Sequence, residues 1–299
     1  MLIVADEQVL RYIVYSQDNR LMKKFFTHRY FLHEPIKSEG KNMTRKLIFF
    51  DIDGTLLNHD KELPISTKQA IQTLKERGHY VAIATGRAPF LFGSLREDLG
   101  IETYVSFNGQ YVVAEKEIIF KNSLHKETLK VFTEFALRHD HPIVYMDHED
   151  MKANIEYHPF VEESIGTLKF EHPAHDPEYF VERDIYQALL FCTSEEEQQY
   201  IDTFGLFDFV RWHPVSTDVL PAGGSKAKGI EAIIQHLGFS KSDVYAFGDG
   251  LNDIEMLQFV ENSVAMGNAE DSVKKAAKHV TKDVNEDGIK HGLELVGLL

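Results

Sequence analysis

The stretch KLIFFDIDGT, residues 46–55, decides how this chain folds. Its first half is an uninterrupted apolar run, which is typical of a strand covered on both faces of a parallel sheet. Its second half places two carboxylates, Asp51 and Asp53, directly after that strand and just before a glycine. Because open α/β sheets bind their ligands at the carboxyl ends of strands, the stretch predicts a buried strand that ends in a reactive site.

Further along the chain, short apolar strands alternate with amphipathic helices. The pattern predicts a helix over residues 66–77 and strands over residues 80–84, 104–107, 244–247 and 263–266. Strands that alternate with helices indicate an α/β protein with a doubly wound parallel sheet.

A second domain is predicted inside this series of strands. The 31 residues between Asp53 and Thr85 are used up by one helix and one strand, whereas 116 residues separate Gly109 from Lys226. The second interval is far longer than a normal crossover and has shorter hydrophobic runs, so we expect an inserted α+β domain there. The predicted organisation is an N-terminal extension at 1–43, a catalytic core at 44–123 and 218–299, and a cap domain at 124–217.

The first 43 residues differ from the rest of the chain. They carry a net charge of +2, whereas the whole chain of 299 residues carries −15. They show no strong hydrophobic period and end in a polar, linker-like stretch at residues 37–42. We therefore expect an extension outside the catalytic unit, and Met43 is a candidate for the biological start.

Composition limits the function classes. The chain is 43% hydrophobic, lacks a Lys/Arg-rich run and has no run of 18 apolar residues, so neither nucleic-acid nor membrane binding is expected. The N-terminus lacks a secretory pattern, and the single cysteine, Cys192, fits a reducing cytoplasm and a packing role. We expect a cytoplasmic monomer or homodimer. Because the chain is acidic, a phosphorylated ligand would need local positive charge, which a divalent metal can supply.

Four polar motifs occupy strand ends or the start of a helix. They are Asp51-Ile-Asp53-Gly-Thr55, Thr85-Gly86-Arg87, Lys226 after a Gly-Gly-Ser turn, and Gly248-Asp249-Gly-Leu-Asn252-Asp253.

These residue types suit phosphoryl transfer. Asp51 can attack phosphorus as a covalent nucleophile, and Asp53 can protonate the leaving oxygen and then deprotonate water. Thr85 and Lys226 can hold the phosphoryl oxygens, where negative charge develops. Mg²⁺ prefers oxygen ligands, and Asp51 and Asp249 are its natural direct ligands.

The motif order resembles the haloacid dehalogenase superfamily, and specifically its Cof-type phosphatases, over about residues 44–299. The resemblance implies a Rossmann-like core with a type C2B α+β cap. It implies a Mg²⁺-dependent phosphatase that forms an aspartyl-phosphate on Asp51. It also implies a small phosphorylated metabolite as substrate, in the class of sugar phosphates, pyridoxal phosphate or flavin mononucleotide.

The resemblance also implies the site residues. The metal would lie on Asp51, the backbone carbonyl of Asp53 and Asp249, with Asp253 supporting it. The substrate phosphate would be bordered by polar groups and glycines from several loops, namely Gly86, Arg87, Asn108, Gly109 and Asn252.

Several alternatives stay open. Lys228 is a second candidate for the lysine of Lys226, and Arg87 either binds substrate or caps its own loop. A sugar-phosphate mutase of the phosphomannomutase type shares this core and cap class, and a non-catalytic sensor of phosphorylated ligands is a third function. The histidines at 139, 141, 148, 172 and 175 lack compact ligand spacing, so we expect them on a solvated cap surface.

Overall fold

The fold is given by a computed structural model, which describes residues 45–299. The predictions for the N-terminal extension and for Met43 lie outside the described residues. Within residues 45–299, no helix is both long and apolar enough to cross a membrane.

The secondary structure follows the predicted alternation. The strands are β1 (Leu47–Phe50), β2 (Tyr80–Ala84), β3 (Tyr104–Ser106), β4 (Tyr111–Ala114), β5 (Glu117–Lys121), β6 (Ile143–Met146), β7 (Met151–Ala153), β8 (Gln187–Leu190), β9 (Phe207–His213), β10 (Ser216–Pro221), β11 (Val244–Gly248), β12 (Asn262–Ala265) and β13 (His279–Val280). The helices are α1 (Ile65–Glu76), α2 (Gly93–Leu99), α3 (Lys126–Leu137), α4 (Pro159–Thr167), α5 (Ser194–Thr203), α6 (Lys226–Leu237), α7 (Ile254–Phe259), α8 (Asp271–Ala276) and α9 (Gly288–Leu295).

An eight-stranded core sheet carries the order β13-β12-β11-β1-β2-β3-β4-β5. The strands from β13 to β3 pair in parallel, and the β4–β5 hairpin adds an antiparallel edge. The chain winds outward in one direction from β1 and in the other from β11, so the topological switch point lies between these two strands. The predicted doubly wound α/β fold is confirmed.

Strand β1 is central because its sequence suits burial on both faces. All four of its side chains are fully buried. Ile48 and Phe50 pack into one hydrophobic cluster, and Leu47 and Phe49 pack into another on the opposite face of the sheet. An apolar run without alternation therefore becomes the middle strand of a sheet covered on both sides.

A second, five-stranded sheet, which we call the cap sheet, has the order β7-β6-β8-β10-β9 and is antiparallel throughout. One of its faces packs on helices α3 and α5 through aromatic residues such as Phe132 and Tyr200. Strand β10 spans Ser216–Pro221, so the domain boundary predicted between residues 217 and 218 falls inside a strand of this sheet. We propose that the second core segment begins after Pro221.

Two residues of the cap test the sequence predictions about which side chains are buried and which are exposed. Cys192 is fully buried in the cluster on the helical face of the cap sheet, as expected for a packing residue. His141 is also buried, and its Nδ1 lies 2.6 Å from the Tyr200 hydroxyl. The expectation of a solvated surface position is therefore wrong for His141, because spacing along the chain does not report packing between elements.

Candidate active site

The switch point of the core sheet places two acidic loops side by side. Asp51 follows β1 and donates its backbone N–H to the carbonyl of Phe247 at 3.0 Å, which holds it against strand β11. Asp51 is only 6% exposed. Burial raises its pKa well above the usual range, and the charge of Asp253 adds to the shift. Two neighbouring parallel strands therefore bring the first and fourth motifs into one cluster.

Asp249 is oriented by groups from two other loops. Its Oδ1 accepts a hydrogen bond from the Thr55 hydroxyl at 2.7 Å, and its Oδ2 accepts from Asn268 Nδ2 at 3.2 Å. Gly54 has a left-handed φ of +78°, and a Cβ at this position would lie 2.1 Å from Asp249 Oδ2. The glycine of the DIDGT motif is thus required both by its backbone conformation and by the approach of this carboxylate.

Lys226 lies beneath Asp51 at the first position of α6 and is 1% exposed. Its ammonium donates to Asp51 Oδ1 at 2.7 Å and to Asp253 Oδ1 at 2.6 Å. Burial alone would lower its pKa, but the two carboxylates raise it above the usual range, so the lysine is charged. Lys228, in contrast, is exposed and donates to the carbonyl of Gly223. Of the two candidate lysines, the structure places Lys226 beside Asp51.

Asp53 is held by two cations. Arg87 contacts it in a bidentate manner, with Nε 2.7 Å from Oδ2 and Nη2 2.6 Å from Oδ1, and Lys61 Nζ lies 2.5 Å from Oδ1. Although burial opposes it, the hydrogen bond and charge of Arg87, helped by Lys61, lower the pKa of Asp53 to about 2. In this structure Arg87 therefore binds the predicted acid/base, a contact that neither of its two sequence interpretations included.

The remaining predicted residues surround these carboxylates. The Thr85 hydroxyl is buried and accepts from the backbone N–H of Arg87 at 3.1 Å. Asn252 donates its side-chain amide to Asn108 Oδ1 at 3.0 Å. A Cβ on Gly109 would lie 2.0 Å from the carbonyl of Ser225, so this glycine allows close packing on the start of α6. Gly86 and Asn108 line the cavity described below, and Gly109 is not among its lining residues.

The donor set fits a hard divalent cation. Asp51, Asp249 and Asp253 each offer a carboxylate oxygen, and these atoms lie within 4.8 Å of one another. Burial raises the pKa of Asp249 to about 6, and the charge of Asp253 adds to the rise, although the hydrogen bond from Thr55 opposes it. Both oxygens of Asp253 already accept from protein donors: Lys226 on Oδ1, and the backbone N–H groups of residues 249 and 250 on Oδ2. Asp253 thus accepts three hydrogen bonds, whereas Asp249 accepts one on each oxygen and Asp51 accepts one, so Asp51 and Asp249 keep more lone pairs than Asp253 for a metal.

A cavity of about 430 Å³ opens over this cluster. Its floor, which we call the cavity floor, is formed by Asp51, Asp53, Thr85, Arg87, Asn108 and Asn252. The opposite wall, which we call the cap face, is formed by the cap-sheet residues Met146, Met151, Gln187, Leu189, Val210 and Asp218. A site of this size, with charged groups at one end and apolar groups at the other, can hold a small phosphorylated molecule.

Comparison with known proteins agrees with this geometry. The family model described as "haloacid dehalogenase-like hydrolase" matches residues 48–293. The chain belongs to this family of hydrolases. A crystal structure of a hypothetical protein from Geobacillus kaustophilus HTA426 is similar to it with a TM-score of 0.83 and 57% identity, covering 86% of this chain and all of the other.

Two further relatives of this haloacid dehalogenase-like chain carry functional names. "Putative phosphatase YkrA" of Bacillus subtilis (strain 168) is 49% identical over 257 residues, which are 86% of this chain and all of YkrA. The structure of the subclass IIB sugar phosphatase BT4131 has a TM-score of 0.76 and 31% identity, covering 85% of this chain and all of that one. The resemblance stated from the motifs, to a Cof-type haloacid dehalogenase hydrolase, is confirmed.

Some residues of the site were not predicted from the sequence. Lys61 lies on an irregular loop, and no motif marked it as a partner of Asp53. Gln187 and Asp218 lie on cap strands, and the sequence did not show which side chains of these strands face the cavity. Asn268 lies in the loop that follows β12, so its position after a parallel strand was the one signal that could have identified it.

Proposed function

We propose that the protein is a Mg²⁺-dependent phosphatase that hydrolyses a small phosphorylated metabolite through an aspartyl-phosphate on Asp51. The observation that carries this proposal is the buried contact of Asp51 with Lys226, beside Asp249 and at the base of a 430 Å³ cavity. A carboxylate held next to a buried ammonium can approach a phosphate dianion that would otherwise repel it.

In the first step, a carboxylate oxygen of Asp51 attacks phosphorus, and the bond from phosphorus to the ester oxygen breaks. Asp51 Oδ1 accepts the hydrogen bond of Lys226, so Oδ2 is the oxygen proposed to attack. Asp53 delivers a proton to the departing oxygen, which leaves as an alcohol. Lys226 and the Thr85 hydroxyl stabilise the charge on the phosphoryl oxygens.

Asp53 must first acquire that proton. Its ion pair with Arg87 and Lys61 favours the carboxylate. A bound phosphate dianion competes for both cations and places negative charge next to Asp53, and each effect raises the pKa of this carboxyl group. Substrate binding therefore converts Asp53 from an ion-pair partner into an acid.

In the second step, water attacks the phosphorus of the aspartyl-phosphate. Asp53 accepts the water proton, the bond between phosphorus and Asp51 breaks, and inorganic phosphate forms. Mg²⁺, held by Asp51, Asp249 and the backbone carbonyl of Asp53, would neutralise the phosphate and the crowded carboxylates. Asp253 keeps Lys226 and the loop of Asp249 in position through its three hydrogen bonds.

The test is phosphate release by the purified full-length protein from a panel of phosphate monoesters, with Mg²⁺ and with excess EDTA. We expect release that requires the metal. The panel includes glucose 1-phosphate, because a mutase would convert it to glucose 6-phosphate while releasing little phosphate. Such isomerisation would favour the mutase, and tight binding without turnover of any compound would favour the sensor.

A further inference from the structure

The cap face is built from two rows of side chains that run across neighbouring strands. Met151, Met146 and Gln187 occupy matched positions on β7, β6 and β8. Leu189, Asp218 and Val210 form the next row on β8, β10 and β9. Because side chains alternate between the faces of a sheet, these two rows share one face, and all six residues line the cavity.

An irregularity in β9 brings an aromatic ring to this wall. The register between β9 and β10 shifts between Ser216 and Thr217, which pair with His213 and Arg211. Trp212 is thus the extra residue of a bulge, and bulges re-aim side chains. It lines the cavity together with Arg211 and with Phe170, which follows α4. The wall facing the phosphate site therefore combines thioethers, aliphatic groups and two aromatic rings.

Most charged groups around the cavity are already engaged. Arg211 binds Glu197 through Nε at 3.0 Å and donates to the carbonyls of Cys192, Thr193, His213 and Pro214 at 3.1–3.2 Å. Arg87 and Lys61 both bind Asp53. Within residues 45–299, the cap face thus has no available cation for a second phosphate or a distant carboxylate.

Two polar side chains of the cap face are placed to contact a ligand. Gln187 is only 4% exposed, and its Oε1 has no hydrogen-bond partner among the described residues. A buried acceptor without a partner is costly, so a bound molecule that donates to it is favoured. Asp218 is 9% exposed, and burial raises its pKa to about 8, so near neutral pH it also carries a proton that it can donate.

We propose that the cap face selects phosphate monoesters whose leaving group is a flat aromatic heterocycle without a second phosphate or a carboxylate, and that Gln187 and Asp218 determine this specificity by hydrogen bonding. This inference rests on the proposed phosphatase activity and names its substrate class. Aromatic rings pack well against Trp212, Phe170 and the thioethers of Met146 and Met151. A hexose phosphate, in contrast, would bury several hydroxyls against a wall with few polar partners, and each unpaired hydroxyl opposes binding.

The experiment compares kcat/KM for pyridoxal 5′-phosphate, glucose 6-phosphate and acetyl phosphate on the purified protein with Mg²⁺. Pyridoxal 5′-phosphate represents the heterocyclic class, and the acetyl group fills little of the cavity. We expect the heterocyclic ester to exceed glucose 6-phosphate by about tenfold or more. Gln187→Met keeps the length of the side chain but removes its hydrogen bonds. It should lower the ratio of kcat/KM for pyridoxal 5′-phosphate over acetyl phosphate by about tenfold.

Gln198→Met is the matched control, since Gln198 is an exposed glutamine on α5 of the same cap. It should leave that ratio unchanged. A preference for glucose 6-phosphate, or an equal ratio in Gln187→Met and wild type, would overturn the inference, and partial unfolding cannot mimic the expected result because it lowers both rates alike. If no compound releases phosphate, including acetyl phosphate, the proposed function itself fails. If acetyl phosphate is turned over but glucose 6-phosphate is preferred to pyridoxal 5′-phosphate, the phosphatase activity stands and only the proposed specificity is wrong.

Discussion

The cavity floor and the cap face each bury an aspartate and burial raises the pKa of both, but only the floor places a cation beside its carboxylate. Asp51 on the floor lies 2.7 Å from the ammonium of Lys226, in a group of carboxylates that can share a cation. Asp218 on the cap face has no lysine or arginine salt-bridge partner within residues 45–299, and burial raises its pKa to about 8. The floor therefore compensates its buried carboxylate with an ammonium, whereas the cap face supplies no cation and favours the neutral acid.

This difference separates reactivity from recognition. A floor of compensated charges can stabilise a phosphate dianion and the charge that develops during its transfer. A largely apolar wall, with two hydrogen-bonding groups, discriminates between leaving groups by what they can pair and what they can bury. The variants that follow remove one feature at a time, from the largest expected effect to the smallest.

Asp51→Asn should abolish the reaction on the floor. We expect kcat to fall by about 10⁴-fold or more, because an amide cannot attack phosphorus. Phosphate release from p-nitrophenyl phosphate with Mg²⁺ measures the effect, and thermal unfolding of the variant verifies that it is folded. Turnover equal to that of the wild type would disprove the covalent mechanism.

Asp53→Asn should slow the reaction more for substrates whose leaving group needs a proton than for those whose leaving group does not. For an alkyl phosphate such as glycerol 3-phosphate, kcat/KM should fall by about 10³-fold, since the departing alkoxide needs a proton. For p-nitrophenyl phosphate the loss should be much smaller, because nitrophenolate leaves without one. The ratio kcat/KM is used because it reports only the steps up to formation of the aspartyl-phosphate. Equal losses for both esters would argue against proton donation by Asp53.

Lys226→Met and Lys228→Met form a matched pair two residues apart. We expect Lys226→Met to lower kcat/KM by about 10²–10³-fold, while Lys228→Met stays within about twofold of the wild type. Loss of the buried ammonium leaves Asp51 and Asp253 without their cation, so the free energy of unfolding should also fall by about 3–5 kcal/mol. Steady-state kinetics and urea unfolding measure the two effects. Similar results for both variants would show that Lys226 has no special role in the active site.

Asp218→Asn tests, through the free energy of unfolding, whether the Asp218 carboxyl group is protonated in the folded protein. The folded protein holds the Asp218 proton up to a pKa of about 8, whereas an ordinary aspartate loses it near 3.8. The folded state thus binds more protons between these values, and the stability of the wild type falls as the pH rises through this window. Asparagine does not titrate, so the free energy of unfolding of the variant relative to the wild type should grow by about 1.4 kcal/mol per pH unit from pH 5 to 7.

Urea unfolding at pH 5, 6 and 7 measures this difference. Asp202→Asn, which removes an exposed carboxylate from α5, is the control for losing one negative charge from the cap. If the difference in free energy of unfolding between Asp218→Asn and the wild type is constant with pH, Asp218 is ionised in the folded protein. It then cannot donate a hydrogen bond to the substrate as proposed.

The core could be predicted from the sequence because its signals are local. The apolar run before Asp51 specifies a strand covered on both sides, and Gly54 reports a backbone conformation that few other residues adopt. Parallel strands align their carboxyl ends, so residues as distant as Asp51 and Asp249 could be expected at one site without knowledge of packing. Thr85 follows by the same rule, whereas Lys226 begins α6 after an antiparallel cap strand and was predicted from its motif.

The cap face could not be predicted in this way. Gln187 and Asp218 face the cavity only through the register of β8 with β6 and β10, and a shift of one residue would turn each to the other face. The bulge at Trp212 and the contact of Lys61 with Asp53 likewise depend on packing between distant segments. The sequence by itself thus determined the fold class and the candidate groups for reaction. Only the tertiary structure decided which side chains surround the leaving group, because burial and pairing across strands arise from contacts between segments far apart in the chain.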